Sequence, residues 1–339
     1  MDLSDGEAQV LTLLVEHDLG TAVPLADLQR EGARFWVFQG DFAVAARSLA
    51  ARGLVHLTPK EILTLAPLAV DSALALARER RDFYFYYYRD YYPLALASPA
   101  HSEFCRRAFG ADLSQEGMTD MATLARLLDG LDLRPGQPVA DLGCGSGLIS
   151  RHIARDRGVH VTGIDQSAPG IACATADGAE DGSLTFRQGD LNDLGALDLD
   201  GQFNAVVAID SVYWVADMQA TLAAMCRLLR PGGRLGITIT HKHETTPTRP
   251  TDPYETRVGQ AACALGLKLE TVDVTDATLG YWTRAQAAVA DLTPQFEADG
   301  IGLIATRLRR EAEESFLPLF AEGRVARFLA FARPGPGAA

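Results

Sequence analysis

The stretch Val139-Ala-Asp-Leu-Gly-Cys-Gly-Ser-Gly147 constrains the fold more than any other part of this chain. A short apolar run ends in three glycines at alternate positions, and a helical pattern opens at about Leu148. Glycines so spaced let the backbone turn tightly and let a ligand approach it closely. From Gln137 onward, short apolar runs alternate with helical stretches: "PVADLG", "HVTGID", "LTFRQGD", "FNAVVAID" and "GRLGITIT". That alternation predicts an α/β fold with a parallel, doubly wound, Rossmann-like sheet, which binds ligands at the carboxyl ends of its strands. Dinucleotide enzymes use similar loops, so the glycines alone leave the ligand open.

Three carboxylates narrow it. Asp141 lies two residues before Gly143. Asp165 ends the second run, eighteen residues after Gly147, where a carboxylate suits ribose hydroxyls. Asp190 ends the third run, placed for a purine amino group, with the backbone of Leu191 beside it for a ring nitrogen. There is no G-K-[ST] motif and no arginine placed for phosphate. The implied ligand is an adenosine without a pyrophosphate.

With "LLRPGGRLGITIT", these motifs resemble the class I S-adenosylmethionine-dependent methyltransferases over about residues 130–275 and the final strand. The resemblance implies S-adenosylmethionine as cofactor. Asp141, Gly143, Cys144, Gly145 and Gly147 would face its methionine moiety. Asp165 and Gln166 would take the ribose, Asp190 and Leu191 the adenine, and Ile209 and Asp210 would line the cofactor at the end of strand four. It also implies a seven-stranded sheet with the last strand antiparallel, a place that "VARFLAFA" fits. A nucleotide-sugar or NAD-type Rossmann domain, or a degenerate fold with no catalysis, is the competing reading.

The substrate side is less specific. "DSVYW", Asp210 to Trp214, lacks both prolines of the D-P-P-Y motif of exocyclic-amine DNA methyltransferases. Tyr213 and Trp214 are read as a pocket wall. The catalytic candidates are Tyr213, His241 of "ITITHKHE" and His101 of "SPAHSEFC", the last expected to fold over the pocket. His241 and His243 are expected to face opposite ways and so not to share a metal; none is expected. Eight of the ten residues from Phe83 to Tyr92 are aromatic. Tyr84, Tyr87, Tyr88, Tyr91 and Tyr92 share one helical face. Tyr87, Tyr88 and Tyr91 are read as roofing the site, where each ring can attract a cation by ~0.5–2 kcal/mol. A structural or dimer-interface helix is the alternative. Tyr281 and Trp282 belong to a second lid, at about 278–322.

Upstream, Ser4 and Glu7 form a capping box. A second helix from about Pro24, a third from Asp41 to Arg52, and a hairpin of "LVHLT" and "ILTLA" follow. That is the winged-helix order, assigned to residues 1–75, with a helical linker and cap over 76–134 and the methyltransferase domain over 135–339. Residues 1–70 hold nine acidic and five basic side chains, a net of −4, so dimerisation is preferred to DNA reading. The whole chain carries −13, which disfavours nucleic acid and anionic membranes as partners. Its polar, acidic start and five scattered cysteines suggest a cytoplasmic protein. The reading is in-line methyl transfer to a small molecule by a homodimer, N- or C-methylation preferred. Small-molecule O-methylation, a ligand-sensing regulator, and a protein or RNA methyltransferase are the alternatives.

Overall fold

The computed structural model describes residues 3–16, 21–34, 41–73, 91–176, 182–243 and 251–335. The chain divides into two compact units, residues 1–88 and 89–339.

In the first unit, α1 (Asp5–Glu16) starts at the expected capping box: Ser4 N–H donates to Glu7 Oε2 at 2.8 Å, and Glu7 N–H to Ser4 Oγ at 3.3 Å. Strand β1 (Val23–Pro24) leads into α2 (Leu25–Arg34). Asp41 caps α3 (Phe42–Ala51) by accepting from the Ala43 and Val44 N–H groups. The expected hairpin follows as β2 (Val55–Leu57) and β3 (Ile62–Leu65), with the unforeseen β1 on the other side of β3. Leu11, Leu28, Phe42, Leu49 and Leu63 fill one core. Arg52, at the end of α3, donates to Glu7 Oε1 at 2.9 Å, and Ser48 Oγ donates to the same oxygen at 2.8 Å. The Ser4 N–H, then these side chains, hold the Glu7 carboxyl at about 2 despite its burial.

The second unit is built on a seven-stranded sheet: β4 (Pro138–Leu142), β5 (His160–Asp165), β6 (Leu184–Gln188), β7 (Phe203–Ala208), β8 (Leu229–Lys242), β9 (Glu270–Asp273) and β10 (Val325–Ala332). The order is β6-β5-β4-β7-β8-β10-β9, with β10 antiparallel to both neighbours, as expected for the last strand. The chain walks outward from β4 to β6 and then returns to the other side of β4. That reversal opens a crevice at the carboxyl ends of β4 and β7, where the glycine loop lies.

The strands alternate between two cores. Ala140, Leu142, Val206, Ile237 and Ile239 pack with α9 (Met218–Leu228) and α10 (Arg257–Ala264). Val139, Ala205, Val207 and Leu329 pack with α6 (Met121–Gly130) and α7 (Leu148–Arg157). Each large apolar side chain buried this way contributes ~1.5–3 kcal/mol. Helix α8 (Ala168–Ala176) follows β5.

Two helices precede α6: α4 (Tyr91–Ala97) and α5 (Pro99–Phe109). Between β9 and β10 stand α11 (Thr275–Ala298), α12 (Gly302–Arg310), a π-helical turn over Glu311–Phe316, and α13 (Leu317–Ala321). Asp299, at the end of α11, accepts from Ser98 Oγ at 2.5 Å and from Ala100 N–H at 3.0 Å. Arg284 Nε donates to the Ala108 carbonyl at 3.0 Å. These bonds fasten α5 to the inserted helices. Among the described residues no helix is long and apolar enough to cross a membrane.

Candidate active site

The glycine loop is clamped to β5. Gly143 and Cys144 N–H donate to the Ile164 carbonyl at 2.7 and 3.1 Å, and Gly147 N–H to Cys144 O at 2.9 Å. Gly145 has φ +54°, and a Cβ there would lie 2.8 Å from the ring and hydroxyl of Tyr92. The tyrosine therefore lies directly on the loop. Asp165, 8% exposed, accepts from Gly145 N–H at 2.9 Å and Ser167 N–H at 2.8 Å, one on each oxygen. A carboxylate has about four acceptor positions, so both oxygens keep capacity for ribose hydroxyls. Burial pushes Asp165 up against these bonds.

Asp141 accepts from Ser150 Oγ at 2.6 Å, and burial pushes it up to about 6. Arg151 is turned aside, donating to the Ala174 carbonyl at 2.6 Å and lying over the Phe186 ring. Buried carboxylates repel a pyrophosphate and attract a sulfonium or an ammonium. The donor set thus fits an adenosyl sulfonium. Asp190 caps the turn Leu191–Leu197 by accepting from Asn192 N–H at 2.9 Å and Nδ2 at 2.8 Å.

At the end of β7, Asp210 takes φ +54°, an uncommon conformation for a residue with a side chain. Its carboxylate, 3% exposed, accepts from Arg327 Nη2 (2.5 Å), Thr119 Oγ1 (2.7 Å), Met118 N–H (2.9 Å), Thr238 Oγ1 (3.2 Å) and the Tyr213 hydroxyl. Arg327, from β10, is wholly buried. Burial works to raise Asp210, but Arg327 and the hydrogen bonds outweigh it and hold the group below its usual range. Burial and the Asp210 charge push Tyr213 up, so its hydroxyl stays protonated. A Cβ on Gly117 would meet the Asp210 carboxylate at 2.5 Å, so glycine there admits the network. Its members are scattered from Met118 to Arg327, and nothing local in the sequence marks them as a set.

A second charged group stands on α4, α12 and the turn after α5. Arg307 Nη1 lies 2.8 Å from Glu116 Oε1 and 3.2 Å from Glu311 Oε1. Two carboxylates share one guanidinium, so one is easily protonated. Burial, then Glu311, pushes Glu116 up to about 8, against a hydrogen bond from Tyr91. Burial, then Glu311 and Glu116, raises Tyr281. Sequence reasoning missed Glu116, Arg307, Thr119 and Arg327.

The remaining predicted residues fall as follows. Tyr91 is buried, with its hydroxyl 3.1 Å from His101 Nε2. Tyr87, Tyr88 and the Trp214 side chain lie outside the described residues. Tyr281 and Trp282 are core residues of α11, packed on Phe109 (centroids 4.6 Å) and Phe316 (4.5 Å). Ile209 is buried with Val207 and Leu329.

Two expectations need correction. His101 does not fold over the pocket: it is 1% exposed among Tyr91, Phe104 and Phe296, and burial pushes it down to about 4. Nor do His241 and His243 face opposite ways. Residues two apart on a strand share a face, so the expectation had the alternation inverted. The rings meet edge to face with centroids 4.9 Å apart. They share the face of Ile237 and Ile239, whereas Thr238 reaches Asp210 from the other. Burial, then His243, pushes His241 down.

Residues 140–237 match the family model described as "Methyltransferase domain". The core of the sheet-bearing unit is thus similar to a methyltransferase domain. The chain is 30% identical over 177 residues to sterol 24-C-methyltransferase ERG6B of Gibberella zeae, covering 50% of this chain and 45% of that protein. It is 35% identical over 112 residues to the ubiquinone biosynthesis O-methyltransferase of Hahella chejuensis, covering 32% of this chain and 46% of that one. The chain therefore spans less than half the length of these two relatives. Phosphoethanolamine N-methyltransferase 2 of Haemonchus contortus, solved with S-adenosyl-L-methionine, shares the fold with a TM-score of 0.56 at 17% identity, over 74% of this chain and 60% of that one.

Proposed function

We propose that this chain transfers the methyl group of S-adenosylmethionine to a small-molecule acceptor that is a cation or becomes one, which favours N- or C-methylation over O-methylation. The observation that carries this reading is the surplus of carboxylate over cation: half-buried Glu116 and more exposed Glu311 share the single guanidinium of Arg307 beside Tyr91 and Tyr281. A positive acceptor, or positive charge developing on one, is what that surplus stabilises. Relatives named for carbon, oxygen and nitrogen acceptors leave the atom open.

In this reading Asp165 and Gln166 hold the ribose, Asp190 and Leu191 the adenine, and Asp141 with Gly143, Cys144, Gly145 and Gly147 the methionine moiety. The bound cofactor supplies an electrophilic methyl on a sulfonium. Tyr92 covers the loop and keeps water from it. Glu116, with an affinity for protons near neutrality, accepts one from an ammonium acceptor or balances its charge. Tyr213, tied to Asp210, keeps its proton and serves as a wall. Alignment of acceptor and methyl supplies ~7–11 kcal/mol of the barrier. The test is labelled cofactor with panels of amines, prenyl- or sterol-type alkenes and phenols. Label on amines or alkenes supports the reading, and label on phenols alone refutes it.

Residues 1–75 are read as a winged-helix-like module that dimerises. Three helices followed by a hairpin support this, and so does the use of Arg52 on Glu7. Light scattering should return twice the chain mass, and a gel shift with duplex DNA should show none. A monomer, or a salt-dependent shift, would overturn the assignment.

A further inference from the structure

We propose that His241, His243 and Glu255 form a binding site for a zinc-type divalent cation at the carboxyl end of β8. The site is independent of the methyl-transfer reading and lies on the sheet face opposite Thr238 and Asp210.

The sequence supplies two imidazoles two residues apart at a strand end, hence on one face. The turn Pro253–Glu255 brings a carboxylate to them. One ligand atom from each of the three residues lies within 4.8 Å of the others. Glu255 Oε2 stands 3.9 Å from His241 Nε2 and 3.7 Å from His243 Nε2. Donors around a tetrahedral zinc, at ~2.0–2.2 Å from the metal, are about 3.4 Å apart. Closure onto an ion thus takes a few tenths of an ångström for the two pairs that include Glu255, and the two imidazole donors start no more than 4.8 Å apart.

Both arms are already anchored. His243 N–H donates to the Arg324 carbonyl at 2.8 Å, and Arg324 Nε donates to the His243 carbonyl at 2.9 Å. Asp252 caps the turn by accepting from Tyr254 N–H at 2.8 Å, and the Tyr254 hydroxyl accepts from Leu269 N–H at 2.8 Å. The ligands therefore need little ordering on binding.

A second observation points to a missing ligand. His241 is 9% exposed, and among the described residues its buried Nδ1 makes no well-formed hydrogen bond, although the Asp252 backbone lies close enough to act on the ring. Its Nε2 faces Glu255 from beyond hydrogen-bonding reach. A buried imidazole whose Nε2 faces a carboxylate beyond hydrogen-bonding reach is under-served. A cation on Nε2 would serve one nitrogen, and the Asp252 backbone beside the ring could receive the proton of the other, as in carboxylate- or carbonyl-backed zinc ligands. Two imidazoles and one carboxylate suit zinc; magnesium and calcium prefer oxygen alone. Three protein ligands leave a fourth position for water or a donor atom of a small molecule. The ion would join the end of β8 to the turn that opens α10.

The test uses tag-free, chelator-stripped full chain, with zinc titrated calorimetrically and Co2+ followed by its visible absorption. One zinc per chain with submicromolar affinity is expected, not displaced by magnesium. H243Q and E255Q change a half-buried and an exposed ligand, so both should fold. Each should weaken zinc at least about tenfold and abolish the zinc-dependent rise in melting temperature. Binding weaker than micromolar, or unchanged in both variants, would overturn the site.

Discussion

Replacing Arg327 with Met separates a buried ion pair, and the structure sets the size of the effect. The guanidinium is 0% exposed and the Asp210 side chain 3%, so water screens neither. Breaking such a pair from one side costs ~3–5 kcal/mol, because the remaining charge is buried alone. Hydrogen bonds from Thr119, Met118, Thr238 and Tyr213 survive the change and place the expected loss at the lower end. With a urea slope near 3 kcal/mol/M, the midpoint of the second unit should fall by roughly 1 M. Trp282, buried in that unit, reports it by fluorescence. The pH dependence should also weaken. In the parent, Asp210 is held below its unfolded value, so its contribution is present above about pH 4 and lost as pH falls through the folded pKa. In R327M burial is opposed by those hydrogen bonds alone, the folded pKa moves up towards the unfolded one, and the acid-side loss of stability shrinks. Adding D210N should restore most of the loss at pH 7. A single-variant shift under about 1 kcal/mol, or a double variant no better than R327M, would refute the view of this pair as mutually dependent.

Gly145→Ala puts a Cβ against Tyr92 at positive φ and should weaken S-adenosylhomocysteine at least about tenfold by calorimetry, since both the loop and its tyrosine must shift. His101 is held neutral, from 6.5 down to about 4, so its contribution is lost as pH falls through that window. The parent should lose about 2 kcal/mol more than His101→Leu between pH 7 and pH 5, read from urea midpoints. Glu116 is raised, so stability is fully present below about 4.5 and lost as pH rises through about 8. Glu116→Gln should flatten the fall in melting temperature between pH 5 and 9 and shift the acidic limb of the rate profile.

The sheet was legible because its signal is local and repeated. Five apolar runs, the first four closed by glycine or acid, became β4 to β8, and "VARFLAFA" became β10 over its whole length. The acids at the ends of β4, β5 and β6 were likewise readable, since strand ends dictate where they stand. The charge networks were not. Arg327 bonds Thr119 across 208 residues, and Arg307 meets Glu116 across 191, separations that no window of sequence can pair. Arg327 in particular sits in a run that reads as plain hydrophobic strand. His101 misled because a histidine beside an aromatic run looks the same in a core as in a pocket, and only burial tells them apart.

Tyr91 and Tyr92 are adjacent at the start of α4, their rings 5.3 Å apart and nearly perpendicular. One leans on His101 and Glu116, and the other rests on Gly145. The rings pack edge to face, so a shift of one changes the surface on which the other rests. A ligand that moves Tyr92 on the glycine loop and one that moves Tyr91 in the charged group would act on two rings in contact, and whatever coupling results must alter both affinities by the same factor.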